Sequence, residues 1–151
     1  MSELTPFDNQ LAGLIGALSP ASRRRLASDI AKELRRSQQQ RIKQQKAPDG
    51  TPYHARKRQP LRAKKGRIKR AMFQKLRTNR YMKASGRNDT AVVEFTRKVQ
   101  RIAQIHQLGL KDRPNPHAQD VQYPERQLLG FRLDDKYLVE RVIIEHFKLA
   151  L

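Results

Sequence analysis

The sequence predicts an α+β protein. An N-terminal helical region with a long basic helix is followed by a small antiparallel β-hairpin or sheet packed by helices. Three observations carry this expectation. Apolar residues recur at helical spacing between Leu11 and Ile42, residues 81–96 alternate around a glycine-containing turn, and an amphipathic helical pattern closes the chain. With 151 residues and 37% hydrophobic residues, against about 45–50% in ordinary soluble domains, the chain suits one small core carrying an arm. The expected division is a helical region with a basic arm over residues 1–66 and an α+β core over 67–151, together one structural unit.

The elements follow in order. Leu11, Leu14, Ile15 and Leu18 share a helical face; Thr5 suits the N-cap and Pro6 the first turn. Gly13 and Gly16 each weaken this helix by about 1 kcal/mol relative to Ala, so it needs a packing neighbour. Ser19-Pro20 restarts a helix on which Leu26, Ile30 and Leu34 lie at i+4 intervals. Its pattern can continue through Ile42 to about Lys46, a length of about 39 Å. Only Ile42 is apolar beyond Leu34, which predicts an exposed, projecting distal half. The turn cluster of residues 47–52 ends it. Residues 53–65, basic and interrupted by Pro60, read as an irregular loop. Arg67 to Thr78 reads as a short helix with Ile68, Met72 and Leu76 on one face. Tyr81–Ala84 and Thr90–Thr96 read as hairpin arms around a five-residue turn, residues 85–89, with Ala91, Val93 and Phe95 on one face. Val99 to Leu108 is ambiguous but fits a short helix stopped by Gly109. Residues 110–122 read as a polar loop and 123–131 as an extended segment. Asp134 or Asp135 caps a last helix whose apolar face is Leu138, Val139, Val142, Ile143 and Phe147. The only low-complexity tracts are Gln38–Gln40 and Gln44–Gln45.

The charge is uneven. The formal net charge is +19, but Arg23 to Arg87 hold 23 Lys and Arg against 3 Asp and Glu, a net of +20. The rest of the chain is therefore close to neutral. A one-signed stretch on a near-neutral fold points to a polyanionic partner or an acidic protein surface rather than a merely solvated face, which mixes signs. Arg41, Lys43, Lys46, Arg56, Lys57, Arg58, Arg62, Lys64 and Lys65 form the candidate contact arm.

Catalytic chemistry finds little support. There is no Cys, which excludes disulfides, thiolate metal sites and Cys nucleophiles. No phosphate-cradling glycine loop and no nucleophile elbow occurs. His54, His106, His117 and His146 lie far apart, without ligand spacing. The carboxylate pairs that a Mg²⁺-dependent nuclease would need, Asp89 with Glu94, Asp134 with Asp135 and Glu140 with Glu145, each have a simpler structural reading. No cofactor and no metal are expected. No apolar run approaches the ~20 residues that span a bilayer and no signal peptide is evident, so a soluble cytoplasmic protein with no membrane partner is expected.

Three stretches occur in order: Ala47-Pro-Asp-Gly-Thr-Pro-Tyr53, Arg101-Ile-Ala-Gln-Ile-His-Gln-Leu-Gly109 and Tyr123-Pro-Glu-Arg-Gln-Leu-Leu-Gly130, with Gly66-Arg-Ile-Lys-Arg-Ala-Met-Phe73 between the first two. Over nearly the whole chain this closely resembles the phage virion morphogenesis family of temperate phages with contractile tails. The resemblance implies a non-enzymatic assembly protein that finishes the tail and makes it competent to join a DNA-filled head. By looser analogy it implies small α+β subunits in a ring at the head-proximal end of the tail. Implied partners are further copies of the chain and other tail or neck proteins, in the host cytoplasm during assembly and then in the virion tail or neck. His106, Gln107 and Gly109 match one element of the family pattern; Tyr123, Pro124, Arg126, Leu128, Leu129 and Gly130 match another. Gly109 suits a left-handed helix stop, Pro124 an extended entry, and Arg126 a fork-type pair with a carboxylate, within the subunit or across an interface. Two readings of these positions are open: a buried corner or an interface. Three functions compete: structural tail completion, non-specific nucleic-acid binding such as a packaging or architectural factor, and, least supported, a nuclease.

Overall fold

The computed structural model describes residues 5–56, 71–87 and 89–150. The expected boundary at 66/67, and most of the basic loop, lie outside the described residues. The order of elements is α1 (Thr5–Gly16), α2 (Pro20–Lys43), β1 (Met82–Arg87), β2 (Thr90–Phe95), α3 (Arg97–Leu108), β3 (Lys111–Asp112), β4 (Val121–Gln122) and α4 (Leu133–Ala150). This is the α+β class expected. The chain forms two compact units, each assembled from separated stretches.

The first unit comprises residues 1–35, 84–94 and 133–151. Its core is Leu11 of α1, Leu26 of α2 and Ile143 of α4, with Ile15, Leu18, Ile30, Val139, Val142 and Phe147 packed against them. The periodic positions of all three helices therefore meet as the 3.6-residue pattern requires. Leu14, expected on the buried face of α1, is exposed instead; its neighbour Leu11 faces the core. Ser19 caps α2 by accepting the Ser22 N–H at 3.2 Å, which satisfies one of the helix's unpaired first-turn donors. α4 begins at Leu133, so Asp134 and Asp135 stand within its first turn, where the helix dipole favours a carboxylate, rather than at the cap position.

The hairpin corrects the expected turn. Its strands run to Arg87 and from Thr90, so the connection is shorter than five residues and Gly86 lies within β1. The reason is packing. A Cβ at Gly86 would press on the backbone N–H of Ser28 and stand 2.7 Å from the Arg24 carbonyl and 2.8 Å from the Ser28 Cα. Only glycine lets β1 approach the α2 backbone this closely. Arg23 then reaches Asp89 at 3.4 Å.

The second unit comprises residues 36–83 and 95–132. Ile42, Met82 and Leu128 are its fully sequestered apolar side chains, with Met72, Leu76, Phe95, Val99, Ala103 and Ile105 also buried. Two expectations fail here. The distal half of α2 does not project with all sides exposed: Gln38, Arg41 and Ile42 form a buried face, and two of them are polar, so hydropathy hides it. Residues 71–78 of the expected Arg67–Thr78 helix form turns. Phe73 has φ +66, in the left-handed region that ends a right-handed helix. Met72 and Leu76 are nevertheless buried. The polar loop of residues 110–122 is closed at its base by a short ladder, Lys111 opposite Gln122 and Asp112 opposite Val121. Ion pairs Arg101–Asp112 at 2.6 Å and Arg113–Asp120 at 3.2 Å flank it.

Candidate functional site

The matched positions converge on one corner of the second unit. α3 ends as expected: Gly109 adopts φ 65, ψ 60, and its N–H returns to the Ile105 carbonyl. A Cβ there would stand 2.9 Å from the backbone nitrogen of Glu125, so this glycine both stops the helix and admits the segment 123–130 alongside it. The Tyr123 N–H donates to the Leu110 carbonyl at 3.1 Å and the Arg126 N–H to the His106 carbonyl at 2.7 Å. The segment is thus laid across the end of α3 by its own backbone.

Side-chain amides complete the attachment. Gln107 Oε1 accepts the N–H groups of Leu128 at 2.8 Å and Leu129 at 3.0 Å, and its Nε2 donates to the Leu129 carbonyl at 3.0 Å. Gln45 does the same for the chain at Met72: Oε1 accepts the Met72 N–H at 2.8 Å, and Nε2 donates to the carbonyls of Met72 at 2.9 Å and Ile42 at 2.8 Å. Gln38 and Arg41 hold Gly130 from both sides. The Gly130 N–H donates to Gln38 Oε1 at 3.1 Å, Arg41 Nη2 donates to the Gly130 carbonyl at 2.9 Å, and the same Nη2 also donates to Gln38 Oε1. Gly130 is required because a Cβ would run into the Pro48 ring and stand 2.9 Å from Gln127 Nε2.

Arg126 is 6% exposed. Its fork meets carbonyl oxygens, not the carboxylate expected of it: Nε donates to His54 at 2.9 Å and Nη2 to Ala55 at 3.2 Å. Burial first, and the neighbouring Arg56 second, lower its affinity for the proton. Tyr53, Phe73, His106 and Tyr123 form a chain of edge-on rings with centroids 5.6, 4.9 and 5.3 Å apart. The Tyr53 hydroxyl donates to the Gln127 carbonyl at 2.9 Å, and burial pushes its pKa up to about 12 against the opposing pull of Arg41. His106 is held below its ordinary value, by burial first and then by Arg126 and Arg56, and its Nδ1 is buried without a hydrogen-bond partner. It therefore serves the corner as a neutral ring.

The structure brings together His106, Gln107, Gly109, Tyr123, Pro124, Arg126, Leu128, Leu129 and Gly130 by chain path. Of the candidate contact arm it exposes Lys43, Lys46 and Arg56. Arg41 is a correction: it is 8% exposed and anchored in the corner. Lys57, Arg58, Arg62, Lys64 and Lys65 lie outside the described residues. Sequence reasoning missed Gln38 and Gln45, which lay within tracts read as low complexity, and the left-handed Phe73. The arrangement positions backbone. Among the described residues no group of three or more His, Cys, Asp or Glu could hold a metal ion, and no helix is long and apolar enough to cross a membrane.

The phage virion morphogenesis family matches residues 2–148. The tail completion protein S of Escherichia phage P2 is 44% identical over 149 residues, covering 98% of this chain and 99% of that protein. No solved structure matches. With a family match over nearly every residue and a relative aligned end to end, the chain belongs to the phage virion morphogenesis family.

Proposed function

We propose that this chain is a structural tail completion protein. It finishes the phage tail at its head-proximal end and makes it competent for head joining, without catalysing a reaction. The observation that carries this reading is the 44% identity to a tail completion protein over 98% of the chain. The corner supports it: Gln38, Arg41, Gln45, Gln107 and Arg126 each bind backbone carbonyls or N–H groups, which suits a shape-holding role better than chemistry. The protein acts as a homo-oligomer, with ring closure as the simplest symmetric solution, on other tail or neck proteins, in the host cytoplasm and then in the virion. Deleting the gene from the phage that carries it tests the proposal. Filled heads and separate tails should accumulate unjoined, and the intact gene supplied in trans should restore joined particles. Joined, infectious particles in its absence would overturn it. Native mass spectrometry after a high-salt wash should show one discrete oligomer. A second reading, non-specific nucleic-acid binding, is favoured by the net +20 between Arg23 and Arg87.

A further inference from the structure

Helix α2 sorts its residues by direction. Leu26, Ala27, Ala31, Gln38, Arg41 and Ile42 are buried on one side. At 3.6 residues per turn, Arg25, Lys32, Arg36 and Lys43 fall within about 40° of one another on the opposite side, in a row about 27 Å long. All four are exposed. Asp29 lies beside the row, Glu33 stands three residues before Arg36, and Gln40 lies at the row's edge. We infer that this row is a docking surface for the phosphate backbone of duplex DNA, bound without regard to sequence.

Three features select duplex DNA over other polyanions. A protein partner needs apolar or aromatic anchors at the centre of its interface. Among the described residues the large exposed apolar side chains are on α1, α3, α4 and nearby loops, and none is on α2. A single strand needs rings on which to stack its bases, and α2 has no aromatic residue. Duplex interfaces are instead polar and strongly positive, and side-chain amides such as that of Gln40 donate to phosphate as well as cations do. The row is built on a single helix, Pro20–Lys43. It shares only Lys43 with the arm read from sequence, and it goes beyond the tail-completion proposal: either can fail without the other.

The test measures binding of the full chain to a labelled 30-base-pair duplex of arbitrary sequence between 50 and 200 mM salt. Two triple variants lose equal charge: Arg25→Gln/Lys32→Gln/Lys43→Gln on the row, and Lys98→Gln/Lys111→Gln/Arg141→Gln at exposed sites elsewhere. Glutamine is a good helix former, and circular dichroism checks that both fold. Each phosphate neutralised contributes about 0.9 to the slope of log affinity against log salt, so the row variant should lose about 2.7 from that slope. Over the same salt range its affinity should then fall about 40-fold less than that of the unaltered chain. The distant variant should keep most of the slope. Equal losses in the two variants, no duplex binding at 50 mM salt, or tighter binding to a single strand or to polyglutamate would overturn the inference.

Discussion

Replacing Gln107 with Ala tests the corner most directly. Gln107 makes three hydrogen bonds, at 2.8, 3.0 and 3.0 Å, to the N–H groups of Leu128 and Leu129 and the carbonyl of Leu129. Leu128 is fully buried, so water cannot take over these partners without opening the segment. At about 1 kcal/mol net for each bond, the loss is about 3 kcal/mol. For a chain of this length that corresponds to a fall of about 9 °C in Tm. Gln107→Glu separates the contributions, because a carboxylate still accepts from both N–H groups but cannot donate to the Leu129 carbonyl. Its loss should therefore be smaller. Urea unfolding followed by circular dichroism reads both variants. A shift below about 0.5 kcal/mol for Gln107→Ala, within the range of ordinary surface substitutions, would refute the claim that this amide carries the attachment.

Gly86→Ala should destabilise by about 2 kcal/mol, since its methyl group meets α2 backbone that cannot rotate away; amide exchange of residues 84–94 should accelerate, and unchanged protection would contradict the packing argument. Arg126→Lys should cost about 1–3 kcal/mol, because a single ammonium cannot reproduce the fork on the His54 and Ala55 carbonyls; a Tm equal to that of the parent would count against it. His106 is held below its ordinary 6.5 by burial, so the unfolded chain takes up its proton first as pH falls. Its contribution is therefore complete above 6.5 and is lost as pH falls through the lower folded value. His106→Phe should flatten the decline in Tm between pH 7.5 and 5.5, and an unchanged slope would show that the ring is not the cause.

What was legible in the sequence was local. The end of α3 at Gly109 needs only a periodic run and a residue that tolerates positive φ. The Ser19-Pro20 start of α2 needs only a cap and its next turn. The core of the first unit follows from three amphipathic patterns. What failed depends on partners distant in the chain. Gln38 meets Gly130 across 92 positions, and no periodicity marks a glutamine whose buried partner is a glycine backbone. Gly86 looked like a turn residue because its real constraint, the α2 backbone, is absent from its neighbourhood in sequence. Met72 and Leu76 were correctly placed inside, but their i+4 spacing was read as helix, whereas Gln45 takes the Met72 backbone groups that a helix would need.

The two kinds of basic residue have different fates, and this has a consequence for the whole molecule. Arg41 and Arg126 are withdrawn from solvent and bind carbonyl dipoles, while Arg25, Lys32, Arg36 and Lys43 are exposed. With a net charge of +19, the free chain repels itself, and exposed charges more than about 8 Å apart stop interacting at physiological salt. The attachments made by Gln38, Gln45 and Gln107 are between dipoles over single hydrogen-bond lengths, and salt does not screen them. The stability lost on Gln107→Ala should therefore be the same at 50 and 500 mM salt, while polyanion binding collapses over that range. If the loss shrank with salt, the corner would depend on the surrounding charges, and holding the fold could not be separated from binding a partner.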